Sequence, residues 1–586
     1  MVLKDFGLMD YEKTNLMMQS FNDNRREDTK DEIWILEHEP VYTYGMSTDT
    51  LSIPHHLPYP IIKTDRGGEI TYHGPGQLVI YILMDFHRAH IKPKEFIGKF
   101  QTSIYKALST YSQDLVLNQE ETGIFYKHQK IASFGLKMTK KGSYHGAAIN
   151  RNMNLDAWKE IVICGNPDHQ AIDLFSLGIN VDRNKLANEM MSKQKKRKSK
   201  TILAQSGRSR EYAKGAVNIP PYRSSTVLFD TLKEYKDWDH EYSTYRYGRL
   251  GSPNSLALEE AYSELSGAYR SIATNSGMSA INIAISAFME KGSHALVTEG
   301  AYEPTAELFS GHLSKFGVEF DFISPMIGEE IVDLIQPNTK VVYLEAPSSN
   351  TFEIFDLKTV INAIRKRSSE IGQEIAILFD NTWAGPIYFR TFEHDIDVEI
   401  QAATKYVVGH SDAMLGIVAC NEKTFSRVKN SARNQGICAE PDACYLGLRG
   451  LRTMGVRMEA QFQSAMKIAA WLDAHPMVQT VLFPPLPSSE YFQNWKNYFT
   501  GGGSLMSIVL NQKYQDQNLE KFFDDMQIFS MGYSWGGFES LATPVRIQKD
   551  RKSSLEELGN TIVRIHVGLE DTEDLISDLD SAFKRL

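Results

Sequence analysis

The feature that most constrains this chain is a change of pattern around a basic stretch, Met190 to Arg210. There Lys193, Lys195, Lys196, Arg197, Lys198 and Lys200 crowd among Ser192, Ser199, Ser206 and Ser209. Such a run cannot bury itself, so a solvated linker is predicted over residues 189–212. Before it, β-favouring runs (Glu32 to Leu36, Val41 to Tyr44, Gln77 to Met84) mix with helix-like stretches such as Pro93 to Tyr111. That mixture predicts an α+β domain over residues 1–188. After the basic run the pattern alternates: helix-like Ser279 to Glu290, strand-like His294 to Thr298 and Lys340 to Glu345, helix-like Leu357 to Arg367, strand-like Glu374 to Asp380. Short apolar strands between helices predict an α/β unit with a mostly parallel sheet covered on both faces. Ligands of such sheets bind beyond the carboxyl ends of the strands. Tyr302, Asp380, Asn381 and Lys405 all follow strand-like runs.

Composition narrows the function. The 586 residues suggest about four domains, room for two multidomain enzymes. A net charge of -10 argues against a general nucleic-acid binder, which needs a basic surface. Cys164, Cys420, Cys438 and Cys444 show no CxxC spacing, so neither a disulfide framework nor a metal site is expected. No long apolar run and no export signal stand out, and a cytoplasmic protein is the expectation. Met190 and Met191 have the look of a former start site.

In the front half, Arg66-Gly67-Gly68-Glu69-Ile70-Thr71-Tyr72-His73-Gly74-Pro75-Gly76-Gln77 packs four glycines between two apolar runs, a density that lets backbone approach a ligand closely. Downstream stand Lys130-Ile131-Ala132-Ser133-Phe134-Gly135-Leu136, Ser143-Tyr144-His145-Gly146-Ala147-Ala148-Ile149-Asn150 and Cys164-Gly165. In order, these strings resemble the lipoyl(octanoyl) transferases of the lipoate-protein ligase B type. The resemblance implies an α+β biotin/lipoate-ligase-like fold, with octanoyl moved from acyl carrier protein to a lysine of a lipoyl domain. Cys164 would be the nucleophile and Lys130 its general base, with no cofactor. Arg66, Gly67, Gly68, Tyr72, His73, Gly74, His145 and Gly146 would bind substrate. The chemistry asks for that pairing, since a free thiol of pKa about 8.5 is mostly protonated at neutral pH and a nearby cation favours the thiolate. His73 and His145 read as shaping the pocket rather than acting as bases. Ile163 stands where the family carries proline, which leaves a second reading open: a carrier-protein docking module without catalysis.

In the back half, Ala402-Ala403-Thr404-Lys405-Tyr406, followed by Gly409-His410-Ser411-Asp412, places a lysine after a β-favouring segment. The string resembles the Cys/Met-metabolism family of pyridoxal-phosphate enzymes, of fold type I (aspartate-aminotransferase-like). The resemblance implies pyridoxal 5'-phosphate held covalently by Lys405, with Asp380 at the pyridine nitrogen and Tyr302 stacked on the ring. The phosphate would lie on Gly277 and Met278 at a helix start, with the Thr404 hydroxyl added. Tyr247 and Arg249 would reach a neighbouring subunit's phosphate, which implies a homotetramer. Arg564 would bind the substrate carboxylate through its fork, helped by Ser534 and Tyr247. Residues 213–254 would form an arm, 255–444 the cofactor-binding large domain and 445–586 a small domain. Trp535, in Tyr533-Ser534-Trp535-Gly536-Gly537, and Tyr245-Arg246-Tyr247-Gly248-Arg249 look like cystathionine β-lyase, which releases homocysteine, pyruvate and ammonia. A lyase for cysteine or its S-conjugates, or a γ-acting relative, remains open, because one fold and cofactor serve several eliminations.

Overall fold

The computed structural model describes residues 2–26, 29–48, 53–86, 93–109, 111–112, 114–118, 121–163, 166–183, 186–187, 197–236, 245–511, 514, 519–546 and 561–586. The chain divides into two compact units, Met1–Lys196 and Arg197–Leu586.

The first unit holds strands β1 (Val2–Met9), β2 (Glu32–His38), β3 (Val41–Tyr44), β4 (Ile61–Lys63), β5 (Thr71–His73), β6 (Gln77–Leu83), β7 (Leu115–Asn118), β8 (Gly123–Tyr126), β9 (Gln129–Thr139), β10 (Gly142–Asn150) and β11 (Gln170–Ala171). The main sheet runs β1-β2-β6-β10-β9-β8-β7, with β11 alongside β9, and β4-β3-β5 form a small second sheet. β6 and β10 are buried along their whole length, as central strands covered on both faces must be. The helix Pro93–Ser109 lays Phe96, Phe100, Ile104 and Leu108 on one sheet face, four residues apart. On the other face the helix Tyr11–Asp23, capped by the Asp10 side chain, buries Met18 among Trp34, Leu36 and Tyr144.

The second unit carries β12 (Arg270–Thr274), β13 (His294–Thr298), β14 (Glu319–Ile323), β15 (Thr339–Glu345), β16 (Ala376–Asp380), β17 (Val398–Gln401) and β18 (Gly416–Cys420) in the order β12-β18-β17-β16-β15-β13-β14. Only β18 runs against its neighbours. The mostly parallel sheet expected from the alternation is therefore present, and its apolar strands are its buried centre. β19 (Val478–Leu482), β20 (Leu505–Leu510), β21 (Leu541–Arg546) and β22 (Thr561–His566) form an antiparallel sheet in the order β19-β20-β22-β21.

Two boundaries differ from expectation. Of the predicted linker 189–212, residues 189–196 lie outside the described residues, and the segment from Arg197 onward is packed rather than solvated. The helix Ser199–Gln205 buries Ile202 and Leu203, Arg197 clasps Glu264 through two nitrogens, and Arg452 donates to Leu203 O at 2.7 Å. Ile202 and Leu203 form the helix's buried side while Lys200 stays exposed, a division that the charge count hid. The boundary expected between residues 444 and 445 falls inside the helix Pro441–Asp473. One part of that helix packs Leu448, Leu451 and Met454 against the large sheet's layer, and the other packs Ile468 and Leu472 into the small sheet's core. No described helix is long and apolar enough to cross a membrane.

Candidate active sites

In the first unit a cavity of about 330 Å³ opens between the glycine-rich string and the faces of β9 and β10, lined among others by Arg66, His73, Lys130, His145, Gly146 and Ile163. Lys130, on β9, is only 5% exposed; its ammonium donates to Glu121 O at 3.2 Å and lies 5.5 Å over the Phe125 ring. Gly123 makes the room, since a Cβ there would meet Lys130 Cε at 2.4 Å. Ile163 is buried in the same cavity wall, and Asn166 N–H donates back to Ile163 O at 3.0 Å. β11 then pairs Ala171 beside Lys130. Cys164 and Gly165 lie outside the described residues.

The two histidines are held, and held neutral. His73 Nδ1 bonds Gln77 Oε1 at 2.8 Å, and burial pushes its pKa well below the usual value. His145 meets Asp65 at 3.2 Å; burial lowers the imidazole, while that hydrogen bond holds the Asp65 carboxyl down at about 2. The two terminal nitrogens of Arg66 are engaged by oxygen, Thr43 O, Thr43 Oγ1 and Glu69 O at 2.9 Å and Gly67 O at 3.0 Å, while its buried Nε has no partner among the described residues. It fixes the loop that borders the cavity. Three expected contacts differ. Along β5, Thr71 and His73 face the cavity, and Tyr72, between them, points away to Tyr42, Tyr59 and Trp158, as the two-residue period of a strand requires. Gly67 and Gly74 are not in the lining either. Gly67 N–H is spent on Leu136 O at 3.1 Å, and Gly74 packs on the Tyr72 ring.

In the second unit the site assembles where the parallel strands end. Lys405 follows β17, with a non-helical backbone (ψ -116°) inside the turn Thr404–Val408. Its Nζ donates to Ser534 Oγ at 2.7 Å and lies 5.2 Å over the Trp535 ring. Burial first, then the charge of Arg564, lowers its pKa to about 8. Gly536, at φ +85°, lets the 533–537 loop touch the Lys405 backbone: a Cβ would meet it within about 3.0 Å. Gly536 N–H donates to the buried His566 at 3.1 Å. Asp380 ends β16, taking Thr382 N–H at 2.9 Å and the Tyr343 hydroxyl at 3.3 Å; burial raises its pKa. Among the described residues no ion pair reaches it. Ser276 caps the helix Gly277–Ser286 by accepting Ser279 N–H at 3.1 Å, and Gly277 sits so close to Ala402 that a Cβ would lie 2.8 Å from it. Among the described residues the Arg564 guanidinium donates to the carbonyls of Gly532, Tyr533 and Ser534, at 3.2 to 3.4 Å. Tyr302 is half exposed and faces Arg564.

These residues fit pyridoxal phosphate: a buried carboxyl without a cation of its own, a helix start whose first N–H groups have no partner within the helix, and a lysine pushed toward neutrality. The Thr404 hydroxyl accepts Leu415 N–H at 2.8 Å and lies 3.1 Å from Leu415 O, so it also ties the turn after β17 to the residue before β18. Met278 packs its side chain on the core, leaving only its backbone to the helix start. Tyr247 and Arg249 stand apart from Lys405: Arg249 donates to Arg433 O at 3.0 Å and lines a separate small cavity with Lys429 and Cys438. Tyr343, Thr382 and Gly536 escaped sequence reasoning because their roles come from strand register and loop approach, which leave no local motif.

Fold and site define a fold-type I, pyridoxal-phosphate-dependent enzyme joined to a lipoate-ligase-type catalytic domain. By family model, residues 200–584 match the Cys/Met metabolism PLP-dependent enzymes and residues 10–200 the lipoyl protein ligase A/B catalytic domain. The chain belongs to the Cys/Met metabolism PLP-dependent enzyme family. Cystathionine beta-lyase MetC of Escherichia coli is 40% identical over 67% of this chain and 99% of its own length. The L-alanine/L-glutamate racemase of Wolbachia pipientis is 35% identical over 66% of this chain and 98% of its own. The solved structure of metB from Corynebacterium glutamicum superposes with a TM-score of 0.60 at 27% identity, covering 66% of this chain and 98% of that one.

Proposed function

We propose that the chain is a bifunctional enzyme. Its first unit transfers octanoyl from acyl carrier protein to lipoyl-domain lysines, and its second unit eliminates a thiol from cystathionine to leave homocysteine, pyruvate and ammonia. The observation that carries the second activity is Lys405 just past a strand end, half-buried, lowered to about 8 and 2.7 Å from Ser534.

Pyridoxal phosphate, held by Lys405, Asp380 and the helix start at Gly277, supplies an electron sink for the Cα–H and C–S bonds of the substrate. Arg564 binds the α-carboxylate: its guanidinium exchanges weak carbonyl contacts for a two-pronged bond. That bond sets the Cα proton toward Lys405, whose neutral amine takes it and returns it to the departing thiolate sulfur. Ser534 holds the amine in line, and Trp535 closes the side of the pocket against water. Tyr247 and Arg249 serve the neighbouring subunit of a homotetramer, consistent with their placement apart from Lys405.

In the first unit Cys164 takes the octanoyl group as a thioester and releases the carrier thiol. The buried Lys130 ammonium favours the thiolate and, once neutral, takes the proton of the incoming lysine amine. Octanoyl carrier protein incubated with the chain should add one octanoyl mass, absent in Cys164→Ala; an unmodified wild type would end the transferase reading. Cystathionine should be turned over with higher kcat/KM than cysteine, and the reverse result would reassign the substrate.

A second reading of the second unit, racemisation, is favoured by the Wolbachia relative. It uses the same proton removal at Cα with return to the opposite side and no leaving group. Chiral analysis of L-alanine incubated with the chain decides it: D-alanine without pyruvate from cystathionine would replace the lyase reading.

A further inference from the structure

Beside Asp380 lies a second buried carboxyl that the roles above leave unused. Glu399, on β17, pairs with Phe379 of β16, next in sequence to Asp380, and is fully buried. Its partners are uncharged. The Tyr262 hydroxyl, from the helix Pro253–Ser266, reaches Oε1 at 2.5 Å; the Thr391 hydroxyl, and Asn381 Nδ2 at 3.3 Å, reach Oε2. β18 offers it only Ala419. The titratable groups facing it are Tyr262 and Asp380, and among the described residues no ion pair reaches it.

A proton count decides its state. A phenol has one proton to give. Tyr262 Oη stands within reach of two acceptor oxygens, Glu399 Oε1 and, at 3.1 Å, Gln401 Oε1. Gln401 turns its amide nitrogen to Thr382 O at 3.4 Å, so its oxygen is the atom left for the phenol. With Glu399 ionised, the phenol serves one oxygen and leaves the other buried acceptor unmet, a cost of the kind that buried polar groups avoid. With the proton on Glu399 Oε1, the acid donates to Tyr262, Tyr262 donates to Gln401, and each oxygen is met. Ionisation would also set two carboxylates side by side without a cation.

We propose that Glu399 is a positioning residue held as a neutral carboxylic acid. It donates through Tyr262 and Gln401 to the Thr382 segment that fixes Asp380, so that the single negative charge that would be offered to the cofactor's pyridine nitrogen stays on Asp380. The direction of its titration agrees: burial, with the charge of Asp380 adding to it, pushes the carboxyl up to about 7. Its link to the cofactor rests on Asp380 being the pyridine partner, whereas its protonation does not.

The test is thermal unfolding of the full chain, wild type against Glu399→Gln, from about pH 5 to about pH 9, with pyridoxal phosphate and after its removal. The folded pKa is raised, so the stability this group contributes is complete below its unfolded value and is lost as pH rises through about 7. The wild type should therefore fall behind Glu399→Gln as pH rises, by about 3 °C or more in the second unit's transition, and level off above that pH. A gap that does not change with pH, or a wild type that gains with pH, overturns the proposal. If the amide variant does not fold, Glu399→Ser gives the same comparison. Glu399→Gln should also bind pyridoxal phosphate within about twofold of wild type, and weakening by about tenfold would show that Glu399 contributes charge and overturn it too. Because the pH-dependent gap persists without cofactor, a misplaced pyridine partner and an ionised Glu399 give different results.

Discussion

Each unit sets an arginine at its site, Arg66 buried and Arg564 half-buried, and the two do different work. Arg66 spends its guanidinium on four oxygens at 2.9 to 3.0 Å, ordinary strong distances, and is part of the wall. Arg564 is held by three carbonyls at 3.2 to 3.4 Å, long contacts that a carboxylate outcompetes. The same contrast runs through the two sites. The first cavity is lined by neutral histidines, an arginine held by four oxygens and one lysine. The second keeps Asp380, Arg564 and the helix start short of partners, a setting for a ligand that brings a cation, a carboxylate and a phosphate. A buried charge without a partner is costly, so such a set persists where a ligand completes it.

The largest expected effects would break this comparison at its root. Lys405→Ala should lower cystathionine turnover by about a thousandfold or more and leave octanoyl transfer within about twofold; Cys164→Ala should do the reverse. Measuring pyruvate release and octanoylation on both variants checks independence, and a loss of both activities in either variant would refute it. Next come the arginines. Arg564→Lys should raise KM for cystathionine by about tenfold to a hundredfold with an unchanged unfolding midpoint, since lysine cannot replace a fork. Arg66→Lys should instead destabilise the first unit by about 2–4 kcal/mol, read by chemical denaturation, because buried carbonyls lose their donors.

A smaller effect follows from Asp65, whose carboxyl the His145 hydrogen bond holds at about 2. A depressed folded pKa contributes stability above the unfolded value and loses it as pH falls, here between about pH 4 and about pH 2. Asp65→Asn should therefore be less stable than wild type at neutral pH, by under about 1 kcal/mol because the group is partly exposed, and the gap should close on acidification. This is the opposite sign from Glu399. The smallest effect is expected of Arg197→Ala, which removes a part-exposed pair with Glu264 and should cost about 0.5 kcal/mol if that segment is structural.

The sheet of the second unit was legible because parallel strands buried on both faces read as uninterrupted apolar runs, and His294 to Thr298 is a strand over its whole predicted length. The positions of Lys405 and Asp380 at strand ends and of Gly277 at a helix start were legible because the type of each element could be read. Residues 197–212 are packed rather than the solvated linker expected, since counting charge ignores which side of a helix carries it. Tyr72 was misassigned because membership in a motif does not say which face of a strand a residue takes.

What the sequence determined by itself was the order of elements and the chemistry of single residues, because period and motif are local properties. What the tertiary structure decided was partnership. Tyr343 reaches Asp380 and Ser534 reaches Lys405 across 37 and 129 residues of chain, and Tyr262 meets Glu399 across 137. Whether a buried group is charged depends on which donors and acceptors long-range packing brings to it, and that no local pattern records.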